Sequence, residues 1–194
     1  MNKEKFWQLI DDVNSEVGEE SQEKIIEATE KKLLDLEWEE LGYWFQICAI
    51  YREILHRKEI EMACMIINKD HKSYTVGDFI GWIISKGKNV YMDCLNSPDS
   101  LVKLNVKEGE ARFEEYNLLV YSMFGQKISN MGLDVYSIPK VKTLPQEIKD
   151  EIQSEIPPPI YTKKRIMSKD MELVMPELYK KYNESAEENM GLSL

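Results

Sequence analysis

The sequence predicts an all-α fold, a multi-helix orthogonal bundle with a proline-rich, partly extended C-terminal segment. Apolar residues recur at helical spacing through residues 1–130, punctuated by residues suited to helix caps and stops. Six of the seven prolines then fall between Pro139 and Pro176, where neither a long helix nor a sheet interior tolerates them. The expected division is therefore a helical domain over 1–130 and an extension over 131–194 with a terminal helix packed on it. A chain of 194 residues buries about 70% of the surface its unfolded form exposes, enough for one core.

Phe6, Leu9, Ile10, Val13 and Val17 share one face of a first helix, and Gly18 ends it. Ser21 or Glu20 opens a second, with Ile25, Ala28, Thr29 and Leu33 as its stripe. A third, capped by Asp35, carries Leu41, Trp44, Phe45, Cys48, Ile54 and Leu55 toward His56. Glu59 to Ile67 reads as a short helix with Met62, Ala63 and Ile66 inward, and Asn68 to Tyr74 as its exit loop. Thr75-Val76-Gly77-Asp78 has the form of a capping box with Asp in the place of Glu. The helix it opens carries Phe79, Trp82 and Ile83, and Gly87 interrupts it. Val90, Tyr91, Cys94 and Leu95 follow, and Ser97-Pro98-Asp99 supplies cap, first-turn proline and first-turn acid for another turn of helix. A long helix is expected from Glu110 to Ser129, marked by Phe113, Tyr116, Asn117, Val120, Tyr121 and Phe124, with Gly132 as its stop. In the extension, Pro145 opens a short helix through Ile148 and Ile152, and Ile160-Tyr161-Thr162 reads as a brief strand. Met171 to Tyr182 forms a last helix that starts or kinks at Pro176.

Net charge is −10. Residues 1–62 hold 8 Lys/Arg against 16 Asp/Glu, whereas residues 63–130 balance at 8 against 8. So acidic a first third repels phosphates and anionic lipid, which argues against direct nucleic-acid binding and favours a basic protein partner. No apolar run approaches the roughly 20 residues that cross a bilayer, and Met1 to Lys5 lead straight into an amphipathic pattern, so the expected location is the cytoplasm. Cys48, Cys64 and Cys94 are widely spaced in apolar surroundings and read as buried thiols.

Few residues offer chemistry. Glu53 and His56 have the Glu-x-x-His spacing of a di-iron helix, but His71 lacks a matching Glu three residues before it. His56 is read instead as a helix-end residue beside Arg57-Lys58. Zinc, nucleophile-elbow and phosphate-loop motifs are absent, so no catalytic residue, metal or cofactor is assigned. Lys163-Lys164-Arg165 is the one basic cluster, as suited to internal ion pairs as to phosphate. Trp38, Trp44 and Trp82 are expected in the core. Phe6 and Trp7 occupy adjacent positions that point apart, which leaves Trp7 partly exposed to a partner.

The block from Asp78 to Leu101, together with Phe6-Trp7, Leu9-Ile10, Ala63, Ile67-Asn68 and the aromatic helix from Tyr116 to Tyr121, resembles a bacterial domain-of-unknown-function family, the one numbered 4240. The resemblance covers roughly residues 1–130, with a weaker echo in Pro176 to Tyr182. It implies a small helical protein of unassigned chemistry. A Ser-Asp-Asp-type acidic loop precedes this helix in that family, and an Arg follows within it. Here the loop reads Lys72-Ser73-Tyr74-Thr75 and Ile80 stands at the Arg position, so any acid–base or phosphate chemistry that depended on those groups is not expected.

The functional reading is a non-enzymatic interaction module of the bacterial cytoplasm that masks a basic protein, such as a toxin or an enzyme. The alternative is an enzyme or small-ligand binder with a pocket around Tyr74, Trp82, Lys88 and Tyr91. Trp7, Tyr74, Asp78, Trp82, Lys88 and Tyr91 are the candidate binding residues. A third reading, self-assembly, places an apolar patch near Trp7 or on the tail, and the oligomeric state stays open.

Overall fold

The computed structural model describes residues 1–18, 21–69, 75–104, 106–134, 136–163 and 165–191, the side chains at 117, 120, 121, 168 and 184–191 excepted. Among these residues the chain is all α: α1 (Lys3–Val17), α2 (Gln22–Asp35), α3 (Trp38–Ile54), α4 (Lys58–Asn68), α5 (Val76–Ser85), α6 (Lys88–Asn96), a 3-10 helix (Pro98–Leu104), α7 (Glu114–Asn130), α8 (Gln146–Ser154), α9 (Ser168–Val174) and α10 (Pro176–Gly191). None is long and apolar enough to cross a membrane.

The centre of the bundle is α5. Every residue from Asp78 to Ser85 is buried, and a helix buried on all sides needs neighbours all round. It packs against α3, α4, α6 and α7. The expected capping box is present: Thr75 Oγ1 accepts the N–H of Asp78 at 3.2 Å, and Asp78 Oδ2 accepts that of Thr75 at 3.0 Å. At the other end, Gly87 turns the chain into α6 with φ +91°. That turn is held from α1, where Asn14 Nδ2 donates to the carbonyl of Ser85 at 2.9 Å and the Asp11 carboxylate accepts the Lys88 N–H.

Four sequence expectations shift. The cap of α3 is Glu37, without a side-chain bond, while Asp35 is the last residue of α2. Lys127 from α7 reaches the carbonyls of Leu34 and Leu36 at 2.6 and 2.5 Å, so the C-terminus of α2 is closed from outside. Secondly, α7 begins at Glu114, not Glu110. The preceding residues stay out of the helix because the Ala111 carbonyl accepts from Asn68, the Arg112 carbonyl from Gln22, and the Phe113 N–H donates to the Asp78 carbonyl. Thirdly, Ile160–Thr162 is no strand, since the Ile160 N–H goes to the Glu59 side chain instead of a ladder. Finally, the last expected helix divides at Met175, whose backbone leaves the helical region (φ −137°, ψ 65°) before Pro176. The side chains of Asn117, Val120 and Tyr121 lie outside the described residues, as do His71, Tyr74 and Lys164.

The described residues of 131–183 pack against the bundle and complete its core with Leu144, Ile152, Tyr161, Met175, Leu178 and Tyr182. Their backbone is gripped as well. Gln46 bonds both the Lys142 carbonyl and the Leu144 N–H at 2.8 Å. Asp99 receives the Leu178 and Glu177 N–H groups at 2.7 and 3.3 Å. The acid expected to serve its own helix therefore also caps α10.

Candidate functional site

Trp7 and Tyr91 belong to the core, not to a surface. Trp7 is 2% exposed and Tyr91 is fully buried. Phe6, Trp7, Trp44, Tyr51 and Tyr91 form a continuous aromatic cluster, with Trp7 centred 4.7 Å from Tyr51 and 5.0 Å from Tyr91. The expected exposure of Trp7 fails because α1 is covered by both α2 and α3, so adjacent positions are both enclosed. The Tyr91 hydroxyl donates to the Tyr51 carbonyl at 2.9 Å, and burial raises its pKa above the ordinary tyrosine value. Trp82 is buried and stacked on Phe79. Lys88 is half-buried and pairs with Glu155 at 3.4 Å. Tyr74 lies outside the described residues. Trp7, Trp82, Lys88 and Tyr91 do not line the clefts described next.

Asp78 does reach one. A cleft of about 210 Å³ is lined by Gln22, Asp78, Arg112, Glu114 and Glu115. It stands where α2, α5 and α7 begin, so three helix N-termini and the Arg112 guanidinium face three carboxylates. Asp78 is itself spent on the capping box. A second hollow against the same ends, lined by Gln22, Glu23, Ile26, Phe113 and Glu115, is more apolar. Sequence reading missed Gln22, Arg112, Glu114 and Glu115 because it placed residues 110–113 inside a helix. The signal was Glu114-Glu115, a first-turn acidic pair.

The acidic character of the first third resides on an exposed face. Glu23, Glu27, Asp35 and Glu37 are exposed and Glu30 half-buried, and none forms an ion pair among the described residues. Several acids elsewhere are engaged, as in Glu16–Lys32 at 3.0 Å and Glu40 with the N-terminal amine at 3.3 Å. Of the basic cluster, Lys163 is taken by the buried Asp170 at 2.7 Å, while Arg165 is exposed. Asp170 also accepts from the Tyr161 hydroxyl at 2.8 Å, and Lys163 and then Tyr161 hold its pKa below the ordinary aspartate value. Exposed apolar side chains on the extension include Met131, Tyr136, Val141, Ile160, Met167 and Leu173.

The three cysteines are free and buried. Burial pushes the Cys48 thiol up to about 12 and raises Cys64 and Cys94 as well, which keeps all three protonated and unreactive near neutral pH. His56 is exposed just past α3, and its ring makes no hydrogen bond among the described residues, so it does not cap the helix through its side chain. No three His, Cys, Asp or Glu side chains among the described residues gather as a metal site.

Comparison with curated proteins and with solved structures returned no significant match. A family model described as a protein of unknown function (DUF4240) matches residues 1–126, well over half of the chain. Those residues contain the aromatic cluster, the central helix and the clefts at its N-terminal end, and the chain belongs to the DUF4240 family.

Proposed function

We propose that this chain is a non-enzymatic protein-interaction module of the bacterial cytoplasm that masks a basic protein. The carrying observation is the run of acids on α2 and its exit, Glu23, Glu27, Glu30, Asp35 and Glu37, left without ion-pair partners among the described residues. Glu23, Glu27 and Glu30 are spaced to share one helix face, away from buried Ile25, Thr29 and Leu33. Such a face steers an oppositely charged surface and weakens as salt rises. Pull-down from host lysate at low and moderate salt, with mass spectrometry of retained proteins, is the test. A basic protein retained at low salt and released as salt rises supports the reading; a specific turnover by the purified chain removes it.

A second reading is small-ligand binding, moved from the Tyr74, Trp82, Lys88 and Tyr91 set to the cleft at Asp78. The observation in its favour is the convergence of Gln22, Arg112, Glu114 and Glu115 with Asp78. Its carboxylates suit a ligand that carries a cation. Arg112→Ala and Glu115→Ala would then change the thermal shift produced by cationic metabolites, and an unchanged shift discards it.

A further inference from the structure

The segment Glu155–Tyr161 is held through its backbone by two side chains at the start of α4, that of the Arg57 cap and that of Glu59 in its first turn. Arg57 Nη2 donates to the Pro157 carbonyl at 2.8 Å, and Glu59 Oε1 accepts the Ile160 N–H at 3.0 Å. Upstream, Glu155 is paired with Lys3 and Lys88. Downstream, the Tyr161 side chain is buried. The chemistry follows from the proline run. Pro157, Pro158 and Pro159 have no N–H, so they present acceptors only, and Ile160 offers the first donor after them. A guanidinium and a carboxylate two residues apart thereby read an acceptor-only stretch followed by a donor. Prolines also fix φ, so the bound form loses little chain entropy.

This internal segment does not saturate the two residues. Glu59 is fully buried, yet its Oε2 accepts no hydrogen bond among the described residues, and Arg57 Nη1 is likewise buried without an acceptor. Buried polar atoms are normally paired, so a spare acceptor and a spare donor remain on the side chains that hold the segment. Pro158, Pro159 and Ile160 themselves are exposed. The Arg57 and Glu59 bonds go to main-chain atoms, which any extended chain of the same pattern supplies.

We propose that the Arg57–Glu59 turn is a recognition site for an extended, proline-containing peptide of a partner protein, which this chain keeps occupied with its own residues 155–161. The proposal names a partner chemistry for the interaction reading above and rests on it for biological sense. Its test uses purified components, so a failed pull-down and a failed peptide titration are separate results.

A labelled synthetic peptide spanning residues 155–165 is titrated into the full chain, into Pro158→Gly/Pro159→Gly, and into that variant with Glu59→Ala added. The tethered segment competes at an effective concentration on the order of millimolar. Loosening it with glycines is expected to tighten peptide binding at least tenfold over wild type, and Glu59→Ala to reverse that gain. Equal binding by wild type and the loosened variant, or indifference to Glu59→Ala, overturns the proposal. Amide exchange on the wild-type chain decides the matter if the glycine variant fails to fold. Excess peptide speeds exchange at residues 155, 156 and 160–163 several-fold if the site is exchangeable. Unchanged exchange marks the segment as a fixed structural strap and overturns the proposal.

Discussion

Gly87 shows how one residue is constrained from two directions. Its φ of +91° disfavours any side chain, and a Cβ there would stand 2.4 Å from Asp11 Oδ1, the carboxylate that caps the following helix. Gly87→Ala should therefore cost about 1–2 kcal/mol of stability, read as a lower denaturation midpoint. Gly125, in α7, should behave oppositely: a Cβ added there would meet nothing within 4 Å, and Gly125→Ala should add roughly 0.5–1 kcal/mol. The thiols give a third test. Cys48, Cys64 and Cys94 should resist a thiol reagent in the native chain and all react once it is unfolded, because burial holds each in its protonated form. Their burial was legible from apolar neighbours in the sequence. The burial of Trp7 was not, because helical periodicity describes one face and α1 is covered on more than one.

Helices were legible wherever the apolar stripe and a local cap agreed, as in α1 with Gly18 and α5 with Thr75 and Asp78. They were misplaced where a distant side chain set the boundary: Lys127 at the end of α2, and Asn68 and Gln22 on the segment before α7. The same reason hid the cleft at Asp78, whose lining depends on where α7 starts. The link between residues 161–163 and α9, by contrast, spans only seven to nine residues, and it carries a pH dependence. Asp170 has a depressed folded pKa, so its contribution is present above the ordinary aspartate value of 3.8 and is lost as pH falls through the lower folded value. The melting-temperature gap between wild type and Asp170→Asn should be widest above the ordinary aspartate value and should narrow as pH falls through the lower folded value. A gap independent of pH would show that the carboxylate charge is not what holds this corner.

Across the molecule, the family match ends within α7, yet Gln46, Arg57, Glu59 and Asp99 from the matched part grip residues beyond it. The extension also supplies Ile152, Met175 and Leu178 to the core. We expect the full chain to unfold in one cooperative transition, and a fragment of residues 1–130 to melt lower or aggregate as those apolar contacts are exposed; equal melting of fragment and full chain would make the extension an independent appendage. The acidic face of α2 belongs to the whole molecule too, since it faces outward only because Ile25, Thr29 and Leu33 are buried. The most direct test is a side-by-side pull-down with wild type and Glu23→Lys/Glu27→Lys/Glu30→Lys, the variant first confirmed as folded by its thermal melt. The account predicts a basic partner that wild type retains at low salt and the variant loses. Retention by both, or a partner indifferent to salt, would contradict it.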